Sequence, residues 1–351
     1  MRKKLLLTSI AVIFLIAVGI PVGQAASKAK FTMRLQTSWP TAFALNIAAK
    51  HFADQIEMRS NNQIDVQFYT AGQLVPAMEV WDSASMGVID AAHSCTCYTV
   101  GKTWMGGFFC NGPSMPPPAL KLLWMKKGGG LELAQKILGK FYKVKLLPAF
   151  VTVEPWAYSN KEINSLDDMR KLKFRASGVR ASTMKNMGIS VVSLPGGEII
   201  PAIEKGVIDA FEFSTLTWDQ GFGADKVAKY VYYSHYVDSG NGFLAINEKW
   251  WNKIGPELQK AIEQASWDTV EWTLGEIAIS ELNAMHIAET ENNTEIKWLP
   301  PDVEKGLIKS VKELIAERIK KGDKEAIEFM GSMDAFMAKY GKYAEFRSNI
   351  Y

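Results

Sequence analysis

Cysteine and histidine are scarce in this chain, with 3 and 4 residues among 351. So few thiols exclude a disulfide-stapled scaffold, and a chain of this length can bury a core without one. Apart from His93 the histidines are scattered along the sequence, which argues against a zinc cluster. There is no Gly-x-Ser-x-Gly turn, so no nucleophile motif of that kind is visible. Charge of one sign is also lacking, with 40 Lys+Arg against 37 Asp+Glu. A chain so nearly neutral has no electrostatic reason to hold nucleic acid or anionic lipid. A mean hydropathy of -0.05 excludes a polytopic membrane protein. What remains is ordinary globular composition, 48% hydrophobic and 22% charged, at a length that suggests two domains.

The one long hydrophobic run lies at the start. Arg2, Lys3 and Lys4 precede apolar residues from Leu5 to Val22, and Gly23-Gln24-Ala25-Ala26 follows. This order reads as a secretory signal peptide over 1–25, with an uncleaved anchor as the alternative. Without its three basic residues the mature chain, beginning near Ala26, carries 37 residues of each sign, and the periplasm is its expected location. No Cys follows the run, which argues against a lipid anchor. Of the three cysteines, Cys95 and Cys97 are too close to bridge each other, but either can pair with Cys110. His93, Cys95 and Cys97 set three soft ligands on one side of an extended segment, as a metal site or as a strand entering the core.

Residues 31–37 alternate and predict a strand, broken by Trp39-Pro40. Phe43, Leu45, Ile47, Phe52 and Ile56 predict an amphipathic helix over 41–60. A strand over 64–69, a helix over 75–86 and a buried strand over 88–93 follow, a βαβ succession with parallel pairing. Residues 105–118, rich in Gly and Pro, read as a loop leading into a helix after Ala119. A second α/β block has strands at 144–153, 174–175, 191–194 and 207–213, with helices over 180–187 and 198–205. From Pro256 onward the chain reads as helical, with an apolar stripe at Leu307, Ile308, Val311, Leu314, Ile315 and Ile319. Gly-Val-Ile-Asp-Ala occurs twice, at 87–91 and 206–210, each time after a helical stretch. Each half thus carries a helix, a helix-ending Gly and a buried strand. The expected fold is α/β and bilobal, like the type II periplasmic binding proteins, with two lobes joined by hinge strands and long helices near the C-terminus. Lobe I is assigned to 26–150 plus about 238–282, and lobe II to 151–237 plus about 283–351 with the C-terminal helices.

Three stretches are diagnostic together: Leu166-Asp167-Asp168-Met169-Arg170-Lys171-Leu172-Lys173-Phe174-Arg175, Leu194-Pro195-Gly196-Gly197-Glu198, and Gly206-Val207-Ile208-Asp209-Ala210-Phe211-Glu212. Thr37-Ser38-Trp39-Pro40, residues 71–77 and residues 240–247 join them. Over about 31–330 the chain resembles the solute-binding proteins of TRAP (tripartite ATP-independent periplasmic) transporters. The Leu-Pro-Gly-Gly-Glu stretch points to the branch that binds 2-oxo and 2-hydroxy carboxylates, aromatic ones included.

Arg175 is the clamp expected from the residues themselves. A guanidinium at a strand end matches a carboxylate with two parallel hydrogen bonds. The resemblance implies the same role. Arg180 is expected as a solvated helix charge. The resemblance also implies that Glu212 and the backbone carbonyl of Phe213 hold a cation bridging protein and substrate, with Na⁺ or Ca²⁺ fitting an all-oxygen site. Glu154 stands where relatives carry Gln near that ion, so two carboxylates would face it and favour a divalent ion. Trp156 replaces a Gly and is expected to reshape the pocket. Tyr98 resembles a family aromatic whose hydroxyl reaches the ligand, and Trp39, Trp218 and Asp219 are expected at the mouth. Asn241 lies where the chain returns to the first lobe, within reach of ligand or metal. The resemblance implies a membrane permease as partner, pairing through the C-terminal helices, and no organic cofactor. An enzyme using Glu154 and Glu212 as acid and base in a lyase or hydratase is the alternative, as is an ABC-type or sensor binding protein of the same fold.

Overall fold

A computed structural model describes residues 29–111, 118–235 and 239–348 of the chain. The expected export signal, 1–25, lies outside the described residues. Among the described residues the strands, in chain order, are β1 (Phe31–Thr37), β2 (Ile64–Tyr69), β3 (Ala91–Cys95), β4 (Val144–Val153), β5 (Ala157–Ser159), β6 (Lys173–Arg175), β7 (Ser190–Val192), β8 (Ala210–Phe211), β9 (Tyr230–Tyr233), β10 (Ser239–Asn247) and β11 (Glu295–Trp298). They form two sheets, ordered β2-β1-β3-β10-β4 and β11-β9-β5-β8-β6-β7, with helices packed around each. This is the bilobal α/β architecture expected from the alternating patterns.

The pairing is mixed rather than wholly parallel. β1 pairs in parallel with β2 and β3, but β10 runs antiparallel to both β3 and β4. The reason is the route of the chain. β3 and β4 end at the cleft between the sheets, and β10 starts there on its way back from the second sheet. β5 likewise runs antiparallel to β8 and β9.

The repeated Gly-Val-Ile-Asp-Ala has one structural explanation in both lobes. Gly87 and Gly206 take left-handed backbone (φ 79° and 68°), which ends the preceding helix without a Cβ clash. Ile89 and Ile208 are buried, whereas Val88 and Val207 are exposed. Asp90 Oδ2 accepts from the backbone N–H of Arg34 at 2.8 Å, and Asp209 Oδ2 from that of Lys173 at 2.9 Å. Each Asp ties its own strand to the parallel neighbour, β1 or β6.

Two expectations are corrected here. The helix Gly106–Asn111 lies inside the stretch read as loop, because Phe108 and Phe109 are buried against Trp124 and Phe329 and tertiary packing overrides the glycines. The C-terminal helix Lys324–Ser348, assigned to lobe II, packs on the core behind the first sheet. There Ala326, Phe329, Met333 and Phe336 meet Phe108, Phe109 and Trp124. The helix Pro301–Lys320 straddles both lobes, with Val303 and Leu307 in the second-sheet core and Val311 in the first. Its buried apolar positions are thus covered within the chain. Among the described residues no helix is long and apolar enough to cross a membrane.

Candidate functional site

A small cavity of about 30 Å³ lies where the two sheets face each other. The ends of β3, β4 and β6 and the start of β10 converge on it, the usual place for a ligand in an α/β fold. Trp39, Tyr98, Phe150 and Phe213 form aromatic walls, and Glu154, Arg175, Ser177, Ser214 and Asn241 supply polar groups. Phe213 stands edge-on to Trp39 at 6.1 Å and to Phe43 at 5.5 Å, so rings from both lobes close the cleft.

Arg175 ends β6 and is 1% exposed. Its Nε and Nη2 donate to the Leu194 carbonyl at 3.0 and 2.9 Å. Nη1 donates to the Glu212 carbonyl at 2.7 Å and to Glu212 Oε1 at 3.1 Å. The guanidinium lies 5.3 Å from the centre of the Phe213 ring. The head is therefore held on two backbone carbonyls, of Leu194 and Glu212, which fixes its orientation, and it borders the cavity together with Tyr98. Burial pushes the Tyr98 phenol up, so it remains a neutral donor.

Glu212 sits behind Arg175 rather than in the cavity wall, and is fully buried. Oε1 accepts from Ser177 N at 2.7 Å and Ser177 Oγ at 3.0 Å in addition to Arg175. Oε2 accepts from Arg180 Nη1 at 3.2 Å, and Asn111 Nδ2 stands 3.5 Å away. Arg180 is not the solvated charge expected of it. It is 0% exposed, with Nη2 3.2 Å from Glu154 Oε2, so one guanidinium bridges Glu154 and Glu212. Two buried carboxylates turn it inward, and Trp156 lies under it with the ring centre 5.9 Å away. Burial raises Glu154 to about 7, against the opposing pull of Arg180, and Thr152 Oγ1 donates to its Oε1 at 3.0 Å.

The glycines of Ser239-Gly240-Asn241-Gly242 follow from this crowding. A Cβ on Gly240 would lie 1.7 Å from Glu154 Oε1, and one on Gly242 would lie 2.1 Å from the Phe150 ring. Between them Asn241 reaches the cavity. Its Oδ1 and the Ser214 Oγ are buried and have no hydrogen-bond partner among the described residues, so both await a polar ligand group.

Among the cysteines, Cys97 and Cys110 form the disulfide and Cys95 is free. All three line the cavity. Burial pushes the Cys95 thiol up to about 12, which makes it inert. His93 is not a metal ligand with Cys95 and Cys97. Its Nδ1 accepts from Trp39 Nε1 at 3.2 Å, and burial lowers it to about 3.

Three further expectations are corrected. Trp218 is not at the mouth: it packs edge-on against Phe150 at 5.4 Å in the core of the first lobe. Asp219 is fully buried, accepts from Ser214 N at 3.0 Å, and serves the loop rather than the cavity. Trp156 supports Arg180 from the core of the second lobe instead of reshaping the pocket. Asn111, Ser177, Phe150 and Ser214 were missing from the sequence reading. Only Ser177, placed just before the helix Gly178–Asn186, carried a local signal.

A family model for bacterial extracellular solute-binding proteins, family 7, matches residues 35–321. A monocarboxylate 2-oxoacid-binding periplasmic protein of Nostoc sp. is 30% identical over 234 residues, 66% of this chain. The chain spans 64% of that relative's length, just under two thirds. A TRAP transporter solute-binding protein of Bordetella bronchiseptica, with copurified calcium and picolinate in its site, matches with a TM-score of 0.86 at 22% identity, over 92% of this chain and 96% of that one. A TRAP periplasmic solute-binding protein of Pseudoalteromonas atlantica, with bound sodium and pyruvate, gives 0.85 at 23% identity, over 91% and 97%.

A metal ion thus accompanies the carboxylate in both solved structures. Here the Arg180 guanidinium stands between Glu154 and Glu212, and both Glu212 oxygens face hydrogen-bond donors. The pair does not form an open cation cage. Extracellular solute binding is the business of this family, and the chain belongs to the DctP family, the TRAP solute-binding proteins grouped as bacterial extracellular solute-binding proteins, family 7.

Proposed function

We propose that the mature chain, exported by residues 1–25, captures a small 2-oxo or 2-hydroxy monocarboxylate in the periplasm and delivers it to a TRAP membrane permease. Arg175 carries this reading. A guanidinium 1% exposed, at a strand end and on a cavity wall between two lobes, is stabilised when an anion meets it there. Tyr98, Ser214 and Asn241 offer polar groups for the oxygens of such a ligand, and the aromatic walls suit its short carbon skeleton. The name of the Nostoc relative and the pyruvate of the Pseudoalteromonas protein support the same class.

Capture proceeds by closure of the two lobes over the ligand, with ring contacts such as Phe43–Phe213 made across the cleft. The protein is a receptor rather than an enzyme: Glu154 and Glu212 are tied to Arg180 and have no acid–base work. Calorimetric titration with pyruvate, followed by NMR of the recovered ligand, tests this. Saturable one-to-one binding with unchanged ligand is expected. No binding of any 2-oxo or 2-hydroxy monocarboxylate, or conversion of the ligand, would refute it.

A further inference from the structure

We infer that Arg180 supplies, between Glu154 and Glu212, the positive charge that a metal ion held by those two carboxylates would supply, so that this receptor binds its carboxylate without calcium or sodium. The inference rests on the carrier reading above and concerns the same site.

The geometry comes first. The guanidinium bridges Oε2 of Glu212 and Oε2 of Glu154, 3.2 Å from each. That is the position of a positive centre shared by two carboxylates. A metal ion there would meet the N–H groups of Arg180 and, at Glu212, the donors of Ser177, Arg175 and Asn111. Displacing a fully buried arginine would also leave it without its charge partners, which is strongly unfavourable.

Arg180 does not line the cavity, so it is a positioning residue: it holds Glu212, and Glu212 holds the Nη1 side of Arg175. The local sequence permits it. Gly178 has φ +60°, and a Cβ there would lie 2.9 Å from Cys97 Sγ, so the helix Gly178–Asn186 starts pressed against the disulfide. This brings its third residue, Arg180, to the two acids.

The test is ion dependence of pyruvate affinity in the full mature chain. Calorimetry is run in excess EDTA, in excess calcium, and with sodium replaced by choline. The wild type is expected to change by less than about twofold across all three. A loss of about tenfold or more in EDTA or in choline overturns the inference while leaving the carrier reading intact. Absence of pyruvate binding in every condition refutes the carrier reading itself. Arg180→Ala, checked for folding by its thermal melt, should bind weakly in EDTA and regain affinity in excess calcium. Arg180→Lys, which keeps a positive charge, should stay indifferent to calcium. A folded Arg180→Ala that matches the wild type in EDTA, or a calcium-dependent Arg180→Lys, overturns the role of this side chain.

Discussion

Replacing Arg175 by Ala removes four hydrogen bonds at once: two to the Leu194 carbonyl and two to Glu212. The Leu194 carbonyl loses its side-chain partner, but Glu212 keeps Ser177 and Arg180. Breaking a buried ion pair from one side costs about 3–5 kcal/mol, and the surviving donors put this variant at the lower end, about 3 kcal/mol of stability. Binding loses more selectively. A desolvated carboxylate deprived of its charged hydrogen bonds loses about 2–5 kcal/mol. That corresponds to roughly thirtyfold to several thousandfold in Kd. Arg175→Lys keeps the charge, yet one ammonium cannot span Leu194 and Glu212 while facing a ligand, so it should lose affinity with a smaller drop in Tm. Thermal unfolding and calorimetric titration of one preparation, below its Tm, separate the two effects. Pyruvate affinity in Arg175→Ala within about threefold of wild type would refute the reasoning.

Gly240→Ala drives a Cβ into the Glu154 carboxylate and should destabilise by about 1–3 kcal/mol, measured by urea unfolding; an unchanged midpoint would contradict the packing described. Replacing Cys97 and Cys110 together by Ala opens a loop with a sequence separation of 13, and the expected loss is about 2–3 kcal/mol by the same assay. His93 is held neutral with its pKa near about 3, below the unfolded value, so the unfolded chain takes up a proton that the folded one refuses. Stability should therefore fall as pH drops from about 6.5 toward 3, by up to a few kcal/mol, and His93→Gln should flatten that limb of the pH–stability curve. Deleting residues 324–351 removes Phe329 and Phe336 from the core and should lower Tm sharply. Light scattering of the intact chain tests pairing, with a monomer mass excluding the dimer that the family resemblance implied.

Much of this was legible in the sequence because it is local. The Gly-Val-Ile-Asp-Ala unit carries a helix-ending Gly and a buried Ile within five residues, whereas its Val, expected inside a strand over 88–93 and over 207–213, is exposed just before the strand, and its Asp bonds a neighbouring strand distant in the chain. Arg175 is the last residue of a short strand and borders the cavity. What escaped depends on partners distant in the chain. Arg180 reads as a surface charge until Glu154 and Glu212, from two other segments, arrive beside it. Trp156 and Trp218 stand near site residues in sequence but turn to the core, and nothing in their own neighbourhood says which way they face. The helix Gly106–Asn111 is held by Trp124 and Phe329, not by its own propensity.

The central claim is that a monocarboxylate docks on Arg175 between the two lobes. A crystal structure of the mature protein with pyruvate tests it most directly. The account predicts a carboxylate oxygen about 2.7–2.9 Å from the Arg175 guanidinium, within the walls of Trp39, Tyr98, Phe150 and Phe213. Pyruvate bound elsewhere, with Arg175 still turned only to Leu194 and Glu212, would contradict it.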